Sequence, residues 1–420
     1  MRIVYERAVG LDVHLKMIQA CLDTPSAQVA GGRVQTQRQF KTFTDALADL
    51  AGWVSDAGAQ VVAMESTAMY WLPAWQMLER RCPQVQLILV NPHHVQQVPG
   101  RKTDTTDAAW LAELAAFGLL RGSLVPPGDI RQLRHLTRYR HRLTKQRGSE
   151  TQRVLMLLES AGIKLGVVVS DINGVSARRM LDALIAGERD VEVLADLALA
   201  RMRAKIGDLR RATTGNFTDA HAAMLQVMLD HIDHLDGLIN RLSEQIRPLM
   251  APFDETAAHL ATVPGFGLRV IETLIAQTTG DMNHFPDEHH LASWACLCPG
   301  NRESAGKRKS GRTRKGNPEL RHVLTEAGWA ASRTSTYHGA LFRHLARTLG
   351  NNPVGRKKAA LGVGHSLLCA SWHIMKHNID YHDLGVDYFT QHHDPDKEAD
   401  RLIKKLHKLT GKNVILEPAE

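Results

Sequence analysis

The sequence predicts an α/β domain over residues 1–125 and an almost wholly α-helical chain after it. Three observations predict this. Apolar strand-like runs alternate with helical spacings as far as Leu120, the strand signals stop after Pro126-Pro127, and apolar residues then step by 3 and 4 from Leu225 to Leu249. At 420 residues the chain exceeds one ordinary core, so several domains are expected.

The elements follow in order. Residues 2–14 (RIVYERAVGLDVH) and 16–24 (KMIQACLDT) read as strands, with 38–43 (RQFKTF) as a short third. Residues 43–58 have helical spacing and end in Gly58, a stop signal. QVVAMEST (60–67) is a buried-strand run, MYWLPAWQMLERR (69–81) a helix interrupted at Pro73, and VQLILVNP (85–92) a strand halted by Asn-Pro. Residues 103–120, rich in Ala and Leu, close the domain as a helix.

An arm is expected over 126–255. Its first helix carries Arg131, Arg134, Arg138, Arg142 and Lys145 at steps of 3, 4, 4 and 3, all on one face. A solvated surface is the ordinary reading of a charge run, but like charges at this spacing repel unless an anion neutralises them, which points to phosphate contact. Further on, Leu225, Met228, Ile232, Leu235, Ile239, Leu242, Ile246 and Leu249 make a heptad seam, the mark of a coiled coil. The seam has two possible partners, another chain or the basic helix upstream, and pairing between chains is favoured.

A third domain is expected over 256–393, followed by a charged helical tail over 394–420. It opens with a VPGFG turn between helices, the pattern of a helix-hairpin-helix, whose glycines admit a phosphate close to the backbone. A basic Gly/Ser loop (301–317) follows, and Pro318 marks the first turn of the next helix.

Composition narrows the function. The chain is 44% hydrophobic and 23% charged, as in globular proteins, and no apolar run is long enough for a membrane span. The first residues lack a secretory signal pattern, and five scattered cysteines suit a reducing, cytoplasmic setting. Cys296-x-Cys298 has no second pair to complete a zinc site, and no P-loop appears. The net charge of +8 is unevenly placed. Residues 131–153 hold eight Lys/Arg against one acid, and residues 300–321 hold eight against two, which leaves the rest of the chain negative. Concentrated basic patches beside an acid-bearing domain suggest a polyanion held against a carboxylate site.

The acids themselves are unusual. Asp12 lies inside the opening strand between Leu11 and Val13, where an unpaired charge is costly, and Glu65 ends a second buried strand. Asp104 and Asp107, three apart, share one face of a helix start, a place where acids are common for dipole reasons alone. Together the four make an oxygen-only set suited to Mg²⁺ or Mn²⁺ and to phosphoryl chemistry. Tyr70, Trp71 and Trp75 are expected to pack in the core, whereas Tyr139 on the basic helix is better placed to touch nucleic acid.

The stretches VGLDVHLK, VAMESTAMYW and NPHHVQQVPGRKTDTTDAAWLA resemble the N-terminal domain of the DEDD transposases of bacterial insertion sequences, the insertion sequence 110 family. LCPGNRESAGKRKSGRTRKGNPELR resembles that family's C-terminal transposase domain. The resemblance implies an RNase H-like fold, similar to Holliday-junction resolvases, for the first domain, with Asp12, Glu65, Asp104 and Asp107 as catalytic metal ligands for Mg²⁺ or Mn²⁺. It implies a nucleophilic serine at Ser304, in Ser304-Ala305-Gly306-Lys307, with Ser310 as the fallback. Lys307, Arg308, Lys309, Arg312, Arg314 and Lys315 would hold nucleic acid around it. It further implies a recombinase acting on donor and target DNA, directed by a structured bridge RNA and assembled as a dimer or tetramer in the bacterial cytoplasm. Two other readings remain open at this point: a junction-resolving nuclease without a covalent serine step, and a non-catalytic nucleic-acid-binding protein.

Overall fold

Ala8–Val13 (β1), Met17–Pro25 (β2), Arg33–Lys41 (β3), Val61–Glu65 (β4) and Gln86–Val90 (β5) form one mixed sheet in the order β3-β2-β1-β4-β5. β1, β2 and β3 pair antiparallel, whereas β1, β4 and β5 pair parallel. The parallel half needs crossovers, supplied by α1 (Thr44–Asp56) and α2 (Trp71–Arg81). A short α3 (Pro92–Val95) and then α4 (Asp107–Ala116) follow β5. Alternation along β1 sorts the two faces of the sheet. Val9, Leu11 and Val13 pack with Val62 and Met64 beneath α1 and α2. Ala8 packs with Val61 and Ala63 against Trp110 and Leu111 of α4 on the opposite face.

This is a computed structural model; it describes residues 2–26, 28–29, 32–95, 107–298, 302–304, 307–310, 313, 316–391 and 395–411. They divide into two units, residues 1–126 and 127–420, so the expected arm and C-terminal domain belong to one unit. Three sequence expectations need adjusting in the first unit. The opening strand starts at Ala8 rather than residue 2. The third strand starts at Arg33 rather than residue 38, because VQTQRQ is an exposed edge whose pairing comes from β2 and not from its own apolar pattern. Helix α2 runs through Pro73 unbroken, since proline in a first turn removes no intrahelical hydrogen bond.

In the second unit the basic helix α5 (Gly128–Ser160) is followed by α6 (Leu165–Val168), α7 (Val175–Ile185), α8 (Val191–Asp196), α9 (Ile206–Thr213) and the long α10 (Asp219–Met250). α10 runs back antiparallel to α5. Leu143 meets Leu235 and Ile239, Arg147 Nε donates to Asp236 Oδ1 at 2.6 Å, and Val154 clusters with Leu225 and Ile232. The seam is therefore filled within one chain, which overturns the expectation of pairing between chains. A helix tethered in the same chain is present at a high effective concentration, and its apolar stripe covers the seam first.

The remainder comprises α11 (Asp254–Ala261), α12 (Leu268–Thr278), α13 (Glu288–Ala295), the two-stranded β6 (Arg302–Ser304) and β7 (Lys307–Ser310), α14 (Pro318–Ala331), α15 (Tyr337–Thr348), α16 (Pro353–His377), α17 (Tyr388–Gln391) and α18 (Pro395–Thr410). Asn317 caps α14, accepting from the amides of Glu319 and Leu320, with Pro318 in the first turn as its sequence predicts. In the VPGFG turn Gly265 has φ +91°, and a Cβ there would stand 2.6 Å from the Ala327 carbonyl of α14. That glycine serves helix packing, while Gly267 of the same turn meets nothing within 4 Å. Among the described residues no helix is long and apolar enough to cross a membrane.

His338 lies 1% exposed at the start of α15, its ring bonded to Ser366 Oγ and to the Tyr381 hydroxyl. Burial pulls its pKa down to about 4, against a smaller opposing pull from Asp383. The folded pKa lies below the unfolded one, so the unfolded chain binds the extra proton as pH falls from about 6.5, and stability falls with it. Between pH 7 and pH 5 the loss from this residue is about 2 kcal/mol. Urea unfolding should show His338→Gln losing that part of the acid sensitivity; equal pH dependence in variant and wild type would refute the assignment.

Candidate active site

β1 and β4 run parallel with Leu11 beside Met64, which sets Asp12 beside Glu65 at the next position, both at the C-terminal ends of their strands. Asp12 follows Ala8 and Gly10 on the α4 face, and Glu65 follows Val61 and Ala63 on that same face. The helix comes unusually close there. A Cβ on Gly10 would stand 2.0 Å from the Ala108 carbonyl and 2.5 Å from the Ala112 nitrogen, so only glycine lets α4 settle directly on β1. Cys21 of β2 completes this contact with Ala108, Ala109 and Ala112. The small residues bring the first turn of α4, and with it Asp107, down to the strand ends that carry Asp12 and Glu65.

Three of the four expected carboxylates thus belong to one end of the sheet; Asp104 lies outside the described residues. Asp12 Oδ2 is 3.0 Å from Nε2 of His14, which the sequence reading passed over although it stands two residues away on the same side of the strand. Gly10, two residues before Asp12, was the other legible signal missed: a glycine inside a strand marks close backbone approach. Among the described residues no three His, Cys, Asp or Glu side chains gather closely enough to hold an ion. The donor chemistry of Asp12, Glu65 and Asp107 is nonetheless all-oxygen, which fits a hard divalent cation and not zinc.

The serine segment belongs to the other unit. Expected as a loop, it forms a hairpin in which Ser304, the last residue of β6, is the register partner of Lys307, the first of β7. A two-residue Ala-Gly connection suits a tight hairpin. Arg308, Lys309 and Ser310 continue β7. Arg312, Arg314 and Lys315 lie outside the described residues. The hairpin's return is pinned at Gly316, where a Cβ would stand 2.4 Å from that of Cys296, and Arg321 Nη2 donates to the Cys296 carbonyl at 2.9 Å.

The basic face of α5 divides into two parts. Arg131 is buried, Arg134 donates to the carbonyls of Ala276 and Gln277 at 3.0 and 2.7 Å, and Arg138 donates to Gln277 Oε1 at 2.8 Å. These cations meet the carbonyl end of α12, where the helix dipole favours positive charge. Burial pulls the Arg134 pKa down to about 10, with repulsion from Arg138 adding to it. Acid partners also exist that the sequence did not reveal: Arg140 pairs with Glu272, Arg147 with Asp236 and Arg153 with Glu150. Of the five residues on that face Arg142 and Lys145 are exposed, as is the neighbouring Tyr139. Near Glu65, Trp75 is buried and Trp71 packs edge-on against it, while Tyr70 is exposed.

Carboxylates at adjoining strand ends of a mixed sheet, together with a second, basic and helical unit, suit an enzyme that acts on DNA. Residues 9–163 match the DEDD transposase model of the IS110 type, and residues 257–343 match the model described as Transposase IS116/IS110/IS902 family. The two matches take in more than half of the chain, which belongs to the IS110 family of transposases. No curated protein matches it.

Proposed function

We propose that the chain is a bridge-RNA-guided DNA recombinase that cuts and rejoins donor and target DNA through a serine-linked intermediate. The observation that carries this reading is the placing of Asp12, Glu65 and the α4 start, with Asp107, at one end of the sheet; Asp104, outside the described residues, would complete the acid set. These residues would hold Mg²⁺ or Mn²⁺, which when bound supplies charge stabilisation at a phosphoryl oxygen. Ser304 Oγ attacks phosphorus, the bond from phosphorus to the departing sugar oxygen breaks, and that oxygen leaves with a proton. The phosphoserine bond keeps the energy of the phosphodiester, so rejoining needs no ATP. Lys307, Arg308 and Lys309 hold the scissile phosphate, with Arg312, Arg314 and Lys315 further along the same segment. Arg142 and Lys145 contact nucleic acid, and assembly as a dimer or tetramer brings donor and target together.

The test is a denaturing gel of the full chain, with its co-purifying RNA, on end-labelled DNA. Wild type should give a covalent protein–DNA adduct that peptide mapping places on Ser304, and that RNase pretreatment abolishes. Ser304→Ala should give none and no recombinant product. Recombination at the wild-type rate by Ser304→Ala would end the serine mechanism.

A further inference from the structure

We propose that the groove between α5 and α14 is a binding site for the sugar–phosphate backbone of a nucleic-acid strand, next to the serine hairpin. The groove is a cavity of about 530 Å³ lined by Gly316, Pro318, Arg321, His322 and Thr325. Beside it on α5, Arg138, His141 and Lys145 step by 3 and 4 and so share a face. The His141 ring stands 4.6 Å from that of His322, edge to face, so the two helices are close here.

The chemistry of the groove is rich in donors and short of acceptors. At its closed end Gln277 is fully buried, and its Oε1 accepts from both Arg138 Nη2 and Asn317 Nδ2 at 2.8 Å. Gln277 Nε2, Arg138 Nε and Thr279 Oγ1 are buried with no hydrogen-bond partner among the described residues. Buried polar groups left unmatched are costly, and these lie beside Asn317, between the lining residues Gly316 and Pro318. Among the described residues, Arg138 and Lys145 of α5 and Arg321 of α14 stand against the carboxylates of Glu319 and Glu326, the latter 3.2 Å from His322 Nε2. The first amides of α14 are already capped by Asn317, so the side chains and not the helix end would hold the ligand. A ligand made only of acceptors, bearing regular negative charge, matches this lining, and a phosphodiester strand is such a ligand. The buried part of the basic face thus builds the fold, and its exposed continuation at Lys145 runs beside the groove.

The proposal rests on reading the chain as a nucleic-acid recombinase, but its test measures binding alone. The full chain is titrated into a short fluorescent DNA duplex and, separately, a single-stranded RNA of equal length, over a series of salt concentrations. Lys145→Ala should lower the slope of log affinity against log salt by about 1 and weaken binding equally across sequences. His322→Glu, which places an acid on the opposite wall, should weaken binding at least as much. Arg201→Ala removes an exposed cation between α8 and α9 and serves as the control. Loss confined to the DNA arm or to the RNA arm supports the site and names its source. No loss in either arm, or an equal loss from Arg201→Ala, overturns it. If wild type forms no Ser304 adduct while the groove variants still lose affinity, the serine mechanism falls and the groove stands.

Discussion

Replacing Asp12 by Asn lowers strand cleavage by on the order of a thousandfold while the protein stays folded. The magnitude follows from the several kcal/mol that a bound divalent ion supplies at a phosphoryl oxygen, with each 1.36 kcal/mol worth about tenfold in rate. The substitution keeps the shape of the side chain and removes its charge. Asp12 is partly exposed at the strand end, its side chain 24% accessible, so the amide leaves no buried group stranded. Cleavage of labelled DNA in Mg²⁺ and Mn²⁺, alongside a thermal melt, checks both halves of this expectation. Activity within a few-fold of wild type would remove Asp12 from the catalytic set, and with it the metal reading of this end of the sheet.

Glu272→Leu destabilises the second unit by about 3–5 kcal/mol, the usual result of breaking a buried ion pair from one side. Arg140 and Glu272 are each 5% accessible at the side chain, and they join α5 to α12. Removing the carboxylate leaves Arg140 buried with the Ser243 hydroxyl, 3.2 Å away, as its one side-chain partner among the described residues. The melting temperature of that unit should fall by roughly 10 °C. The double variant Arg140→Met with Glu272→Leu should recover most of the loss, because two apolar side chains of similar volume remove the uncompensated charge. If the single variant melts like wild type, the pair is not what holds the arm to the helices that follow.

Much of the first unit was legible. Val9, Leu11, Val61 and Val62 announce buried strands by local pattern, and a charged residue inside such a pattern, Asp12 or Glu65, stands out because burial penalises it. The order of strands and crossovers, and the break at Pro126-Pro127, came from the same local rules. The convergence of Asp12 and Glu65 followed once the parallel pairing of β1 with β4 was known, and Gly10 held the clue to the closeness of α4. The hairpin around Ser304 was less legible, because a short run of Lys, Arg, Ser and Gly carries no apolar alternation from which to read a strand.

The basic helix shows where such reading stops. By itself the sequence determined that Arg131, Arg134, Arg138, Arg142 and Lys145 share a face, since 3.6 residues per turn settle that within the helix. It also determined the heptad seam of α10 and the unusual position of Asp12 and Glu65 in buried strands. Only the tertiary structure decided which cations the protein keeps for itself. The acceptors for Arg134 are carbonyls some 142 positions further along the chain, and no periodicity reports on them. The same holds for Arg140 with Glu272, for the covering of the seam by α5, and for Gly265 against α14. Helical faces follow from backbone geometry over a few residues, whereas the identity of a partner depends on how distant segments pack, and that is set by the whole core at once.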